Sequence, residues 1–170
     1  IAHEREKLNT EVGPVAFNVL ISSASKKIPL VRVMQNAVRK INVDARVVAV
    51  DLSVEALAAY VADDFWIMPK TMTENIGEII DGCRVRNIRA VFPTRDSELQ
   101  FWSIHVEQFR AAGIAVVVSP EGAVKVCIDK LAFSDFGKRH GLPFIPSAQS
   151  PMLLDAEQFV VKERYGAGSR

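Results

Sequence analysis

Short apolar runs alternate with longer stretches of helical spacing along most of this chain, and that alternation sets its elements. Residues 15–21, Val-Ala-Phe-Asn-Val-Leu-Ile, form a β-rich run; the small, polar segment Ser22-Ser23-Ala24-Ser25-Lys26-Lys27 follows, and a helical pattern then covers 29–40. The strand signal returns at 46–51, with Asp51 at its carboxyl end, and the spacing predicts a helix over 54–61 that Asp51 would cap. A third short strand is predicted at 65–69. Residues 74–86 fit a helix with Ile76, Ile79, Ile80 and Cys83 on one face, and 88–93 read as a fourth strand. A helix over 99–112, ended by Gly113, and a fifth strand at 114–118 complete the series.

The pattern changes beyond that point. Ser119-Pro120-Glu121 is a helix start, with serine as the cap and proline at the first helical position. Asp129 is placed to cap a second helix over 130–140, closed by Gly141 with Pro143 beyond. A turn at Gln149-Ser150-Pro151, a short helix near Asp155 and a buried strand over 159–162 are predicted to follow. Strands alternating with helices of this length predict an α/β fold, a Rossmann-like parallel sheet with helices on both faces. The predicted division is an extension over 1–14, the Rossmann-like domain over 15–118 and the incomplete beginning of a second domain over 119–170.

Composition narrows the function classes. The chain has 170 residues, 49% of them hydrophobic, with 21 Lys plus Arg against 20 Asp plus Glu. The charges are interspersed, which argues against nucleic acid or an acidic membrane surface as partner. Cys83 and Cys127 form no metal-binding or disulfide framework, so a reducing, cytoplasmic setting is expected. His3, His105 and His140 lack partners at metal-ligand or triad spacing, and Trp66 and Trp102 read as packing residues. The chain starts with Ile rather than Met and ends in a loop, from which both ends are expected to be limits within a longer polypeptide.

Two stretches carry candidate chemistry. In Val160-Val161-Lys162-Glu163-Arg164-Tyr165-Gly166-Ala167-Gly168-Ser169-Arg170, a lysine precedes a Gly-x-Gly-Ser loop whose backbone can expose its N–H groups to phosphate. The spacing is not that of a Walker loop, and the first turn, 22–27, has no Gly-x-Gly-x-x-Gly, so a dinucleotide site is not indicated. The other stretch is Thr94-Arg95-Asp96-Ser97-Glu98, at the carboxyl end of the fourth strand, where ligands gather in parallel sheets. Thr94 or Asp96 reads as a helix cap, or Arg95, Asp96 and Glu98 face a substrate; both readings stay open.

The order of Asp129-Lys130 after a Ser-Pro helix start, Gly141-Leu142-Pro143, and Val160-Val161-Lys162 running into Gly166-Ala167-Gly168-Ser169 resembles the start of an ATP-grasp domain. Upstream, Val19-Leu20-Ile21-Ser22-Ser23-Ala24, Ala49-Val50-Asp51-Leu52-Ser53 and Phe92-Pro93-Thr94-Arg95-Asp96-Ser97-Glu98-Leu99 resemble the pre-ATP-grasp domain of proteins similar to the large subunit of carbamoyl-phosphate synthetase. The resemblance spans about residues 16–170. It implies that Lys130 and Lys162 contact ATP phosphates and that Gly166, Ala167, Gly168 and Ser169 fold over the nucleotide. It also implies a reaction in which Mg2+ and ATP activate a carboxylate, or bicarbonate, as an acyl phosphate for attack by an amine or another nucleophile. The magnesium ligands and adenine pocket are expected beyond Arg170, so the fragment alone is expected to be inactive. Glu163 stands where many relatives carry proline. Apolar residues over 144–162 predict self-association. A non-catalytic module of the same fold is the alternative; a nicotinamide-dependent oxidoreductase conflicts with the 22–27 turn.

Overall fold

The computed structural model describes residues 17–166. Five parallel strands, β1 (Asn18–Ile21), β2 (Arg46–Asp51), β3 (Asp64–Ile67), β4 (Ile88–Phe92) and β5 (Ala115–Val116), form one sheet in the order β3-β2-β1-β4-β5. Chain order reverses between β1 and β4, the topological switch point at which a doubly wound sheet opens a crevice. The register runs Leu20 against Val48 on one side and Leu20 against Val91 on the other.

The sheet is buried on both faces, which explains why its strands read as continuous apolar runs. Val48 and Val50 point to one face, with Trp66, Ile79, Cys83, Trp102 and Phe109. Val47 and Ala49 point to the other, with Val31, Val38 and Ala58. Helix α1 (Ile28–Ile41) covers this second face, while α2 (Ile76–Val85), α3 (Asp96–Ile104) and α4 (Val106–Ala111) supply the first. Helices on both faces of a parallel sheet are what the alternation predicts. Cys83 is a core residue; burial pushes its thiol up to about 12, against a smaller opposing effect of Arg86. Its thiolate is therefore not available near neutrality.

Several expectations need correction. The predicted helix over 54–61 is only a 3-10 turn at Leu57–Tyr60, because the backbone N–H of Ala58 donates to Ser25 O at 2.8 Å and ties the segment to the first loop instead of to itself. The predicted 99–112 helix is two helices meeting at His105. That residue is buried, with ring nitrogens 3.2 Å from Thr73 Oγ1 and 2.5 Å from Gln108 Oε1. The fifth strand is two residues long rather than five. Ser119 is not the cap of α5 (Glu121–Ile128); Pro120 occupies that position and no side chain caps it.

Asp129 does cap α6 (Lys130–Arg139), its Oδ1 accepting from the N–H groups of Leu131 at 3.0 Å and Ala132 at 3.2 Å. At the other end, Leu142 N–H donates to Gly137 O at 2.9 Å and Gly141 N–H to Lys138 O at 3.3 Å, a Schellman closure made possible by φ +64° at Gly141. Beyond it the described residues have no regular structure except a 3-10 turn at Pro151–Leu153, in place of the short helix expected near Asp155. The buried strand predicted over 159–162 is absent. Val160 and Val161 are 80% and 81% exposed, since no described strand lies beside them to complete a ladder. Phe144 is held instead, edge-on to Phe133 with ring centroids 4.9 Å apart and close enough to Gly137 that a Cβ there would lie 2.0 Å from its ring.

Candidate functional site

The carboxyl ends of β1, β2, β3 and β4 converge on a cleft of about 240 Å³. Ser23 lies after β1, Asp51 ends β2, Met68 to Met72 follow β3, and Arg95, Ser97 and Glu98 enter α3 after β4. This is the crevice that the strand order places at the switch point.

Glu98 is pinned inward. It is 9% exposed; one carboxylate oxygen accepts from Ser22 Oγ at 2.7 Å and Trp102 Nε1 at 3.5 Å, and the other accepts from Ser23 Oγ. Thr94 Oγ1 donates to the carbonyls of Ser22 and Ser23, so it ties two loops together and caps no helix. Arg95 occupies the N-cap position of α3 without a side-chain capping bond. These contacts hold Ser23 at φ 46°, a left-handed conformation costly for serine. Asp51 braces the same loop: one oxygen accepts from Ser25 N–H at 3.1 Å, the other from Leu52 N–H at 2.8 Å and Ser53 N–H at 3.3 Å. Of the three sequence-predicted substrate residues, Arg95 and Glu98 line the cleft, whereas Asp96 is exposed in the first turn of α3 and is not part of its lining. Lys70, which also lines it, was not singled out in the sequence; its signal is its position just past the carboxyl end of β3.

A second cluster surrounds the amino end of α6. Asp129 receives a bidentate pair from Arg164, Nε to Oδ1 at 2.9 Å and Nη2 to Oδ2 at 2.6 Å, and Tyr165 Oη donates to Oδ2 at 3.0 Å. The Arg164 guanidinium is the main reason the Asp129 carboxyl is held far below the usual carboxylate range, with the Ala132 and Tyr165 donors adding to it. Lys130 completes the arrangement, its backbone N–H donating to Arg164 O at 3.1 Å and its Nζ to Gly166 O at 2.8 Å.

Lys130 and Gly166 are thus brought together at the first turn of a ten-residue helix whose leading N–H groups are already engaged, that of Lys130 by Arg164 O and those of Leu131 and Ala132 by Asp129. Lys162 is exposed and makes no side-chain hydrogen bond or ion pair among the described residues. Ala167, Gly168 and Ser169 lie outside the described residues. The donor set fits a polyanion. Among the described residues Lys130 and Lys162 have no carboxylate partner, and Gly166, at φ +103°, takes a backbone conformation open to glycine beside Lys130. Arg164 is different, because Asp129 already takes its charge. Neither Arg164 nor Tyr165 received a role in the sequence reading, and their partner lies 35 and 36 residues away.

Residues 19–117, the sheet and its first four helices, match the family of the PylC-like, N-terminal domain. The chain belongs to that family. This PylC-like domain carries the fold of a pre-ATP-grasp domain, in agreement with the motif resemblance; the narrower likeness to carbamoyl-phosphate synthetase is not distinguished. No curated protein matches the sequence. Among solved structures, the fold is similar to N5-carboxyaminoimidazole synthetase from Staphylococcus aureus complexed with ADP, with TM-score 0.55, 16% identity, and coverage of 78% of this chain and 33% of that one. It is similar also to the biotin carboxylase domain of the Hydrogenobacter thermophilus 2-oxoglutarate carboxylase, solved as a dimer with MgADP, ADP and bicarbonate, at TM-score 0.52 and 18% identity over 77% of this chain and 29% of that one. For the Rhizobium etli pyruvate carboxylase the values are 0.54 and 19%, over 88% and 15%. The PylC-like chain therefore spans a third or less of these proteins, and the likeness is one of fold. Among the described residues no helix is long and apolar enough to cross a membrane.

Proposed function

We propose that this chain is the amino-terminal part of an ATP-dependent ligase, comprising a substrate-facing domain over 15–118 and the first part of an ATP-grasp domain over 119–170. The observation that carries the reading is the direct contact of Lys130 Nζ with the carbonyl of Gly166, which sets a cation of the α6 amino end against the entry to the glycine-rich loop. Lys130 and Lys162 would hold the phosphates of ATP, with Gly166, Ala167, Gly168 and Ser169 closing over them. Solved proteins of similar fold hold ADP, or MgADP with bicarbonate, which supports ATP and Mg2+ as the co-substrate and its metal.

The co-substrate supplies the phosphoryl group: a carboxylate oxygen attacks the terminal phosphorus, ADP leaves, and an amine or another nucleophile then displaces phosphate from the acyl carbon. Residues of this chain contribute position and charge rather than covalent chemistry. Of the sequence candidates Arg95, Asp96 and Glu98, Arg95 is our candidate for meeting the carboxylate; Glu98 would shape the cleft by holding Ser22 and Ser23, and Asp96 lies outside its lining. The reading also includes a cytoplasmic setting and a homo-oligomer; the Hydrogenobacter relative is a dimer.

Hydroxylamine trapping on the complete gene product tests the ligase against a non-catalytic module. The ligase reading expects acyl hydroxamate and ADP to accumulate together when a pool of small carboxylic acids is added with MgATP. ADP-free, hydroxamate-free mixtures from a folded protein that still binds MgATP would establish the module instead.

A further inference from the structure

The segment that closes on the amino end of α6 is held at one place. Val160 and Val161, just before it, are 80% and 81% exposed, so no apolar burial fixes the approach. Among the described residues, the hydrogen bonds and the ion pair of residues 164–166 all end on Asp129 and Lys130. The Arg164 guanidinium and the Tyr165 hydroxyl both donate to the Asp129 carboxylate, Arg164 O accepts from the Lys130 N–H, and Gly166 O accepts from Lys130 Nζ. A segment fastened by polar contacts alone, with exposed side chains leading into it, belongs to the part of a fold that opens locally before the core does.

The same contacts take up the groups that a phosphate would use. Lys130 Nζ and Gly166 O are 2.8 Å apart, a direct hydrogen bond with no space between cation and backbone. A phosphate held by Lys130 beneath a loop folded over it has to part the two. The leading amides of α6 are engaged as well, that of Lys130 by Arg164 O and those of Leu131 and Ala132 by Asp129, and the Arg164 charge is spent on Asp129. We propose that residues 164–166 form a strap, latched by Asp129, that competes with nucleotide for Lys130 and so holds the site shut. The proposal rests on the ATP-binding function proposed above and adds a brake to it: the apparent affinity falls with the fraction of molecules whose strap is open.

Calorimetric titration of MgATP into the complete gene product, as wild type, Tyr165→Phe and Asp129→Asn, tests the latch, with thermal melts followed by circular dichroism to verify that the variants are folded. Asparagine keeps a side-chain oxygen for the α6 cap, but Asp129→Asn also removes a negative charge beside the phosphate, which by itself favours an anion. Tyr165→Phe deletes one hydrogen bond to the latch and changes no charge, so its effect reports on the strap alone. MgATP should bind about threefold more tightly to Tyr165→Phe and about tenfold more tightly to Asp129→Asn. Without nucleotide, hydrogen exchange at the Lys130 amide, which Arg164 O covers, should be faster in both variants. Unchanged or weaker MgATP binding by folded Tyr165→Phe, or an unchanged exchange rate at Lys130 in both variants, would overturn the latch and leave the ATP site in place. Absence of MgATP binding in all three folded forms would overturn the ATP-binding reading and the latch with it.

Discussion

The sheet and the tail of this molecule handle similar apolar residues in opposite ways. Val47, Val48 and Val50 are at most 1% exposed, because β2 pairs with strands on both sides and helices cover both faces; Val160 and Val161 carry the same side chains and are at least 80% exposed. A valine run specifies a strand only when neighbouring strands accept its backbone groups. What positions the tail is polar: the Asp129 carboxylate, holding Arg164 and Tyr165, and the Lys130 ammonium on Gly166. The sheet is fixed by burial and the loop entry by two adjacent charged side chains, Asp129 and Lys130, at a helix start.

Substitutions can break this contrast at graded cost. The largest effect is expected from Trp102→Ala, which opens a cavity at a fully buried side chain packed on Phe101 and Phe109 and should lower stability by about 3–5 kcal/mol in denaturant titration. Glu98→Ala leaves the hydroxyls of Ser22 and Ser23 and the Trp102 indole without their acceptor; a loss of about 2 kcal/mol is expected, together with faster hydrogen exchange over 22–27.

The next prediction concerns pH. Asp129 has its carboxyl pKa lowered in the folded chain, so its stabilising contribution is present above the ordinary aspartate value and is lost only as pH falls through the depressed folded value. The Arg164 Nε–H signal in NMR should therefore keep its paired position from neutrality down to about pH 3, below the ordinary aspartate value of about 3.9, and should move at once in Asp129→Asn. Release between about pH 4 and 5, as an unshifted aspartate would show, would mean that the pair does not anchor the loop. The smallest effect should come from Val160→Ser combined with Val161→Ser, within about 0.5 kcal/mol for the chain as described, because neither side chain is buried.

The same contrast explains what was legible in the sequence. β1, β2 and β4 announce themselves because burial on both faces demands uninterrupted apolar residues, and the α6 cap and closure are local signals carried by Asp129 and Gly141. Long-range hydrogen bonds leave no such trace. The tie from Ala58 to Ser25 prevented the 54–61 helix, and the inward turn of Glu98 depends on serines 75 and 76 residues away. Lys70 carries no motif; its place in the cleft follows only from the order in which the strands pack. Arg164 stood within the stretch singled out for phosphate binding, yet its commitment to Asp129 depends on how the tail returns to α6.

The central claim, that the amino end of α6 and the glycine-rich loop form the phosphate-binding part of an ATP site, is tested most directly by calorimetric titration of MgATP into the complete gene product beside Lys130→Ala and Lys162→Ala. The account predicts that the wild type binds and that each folded variant binds at least about tenfold more weakly, the loss of one charge-assisted contact to phosphate. Unchanged affinity in both folded variants, or no binding by a folded wild type, would contradict it.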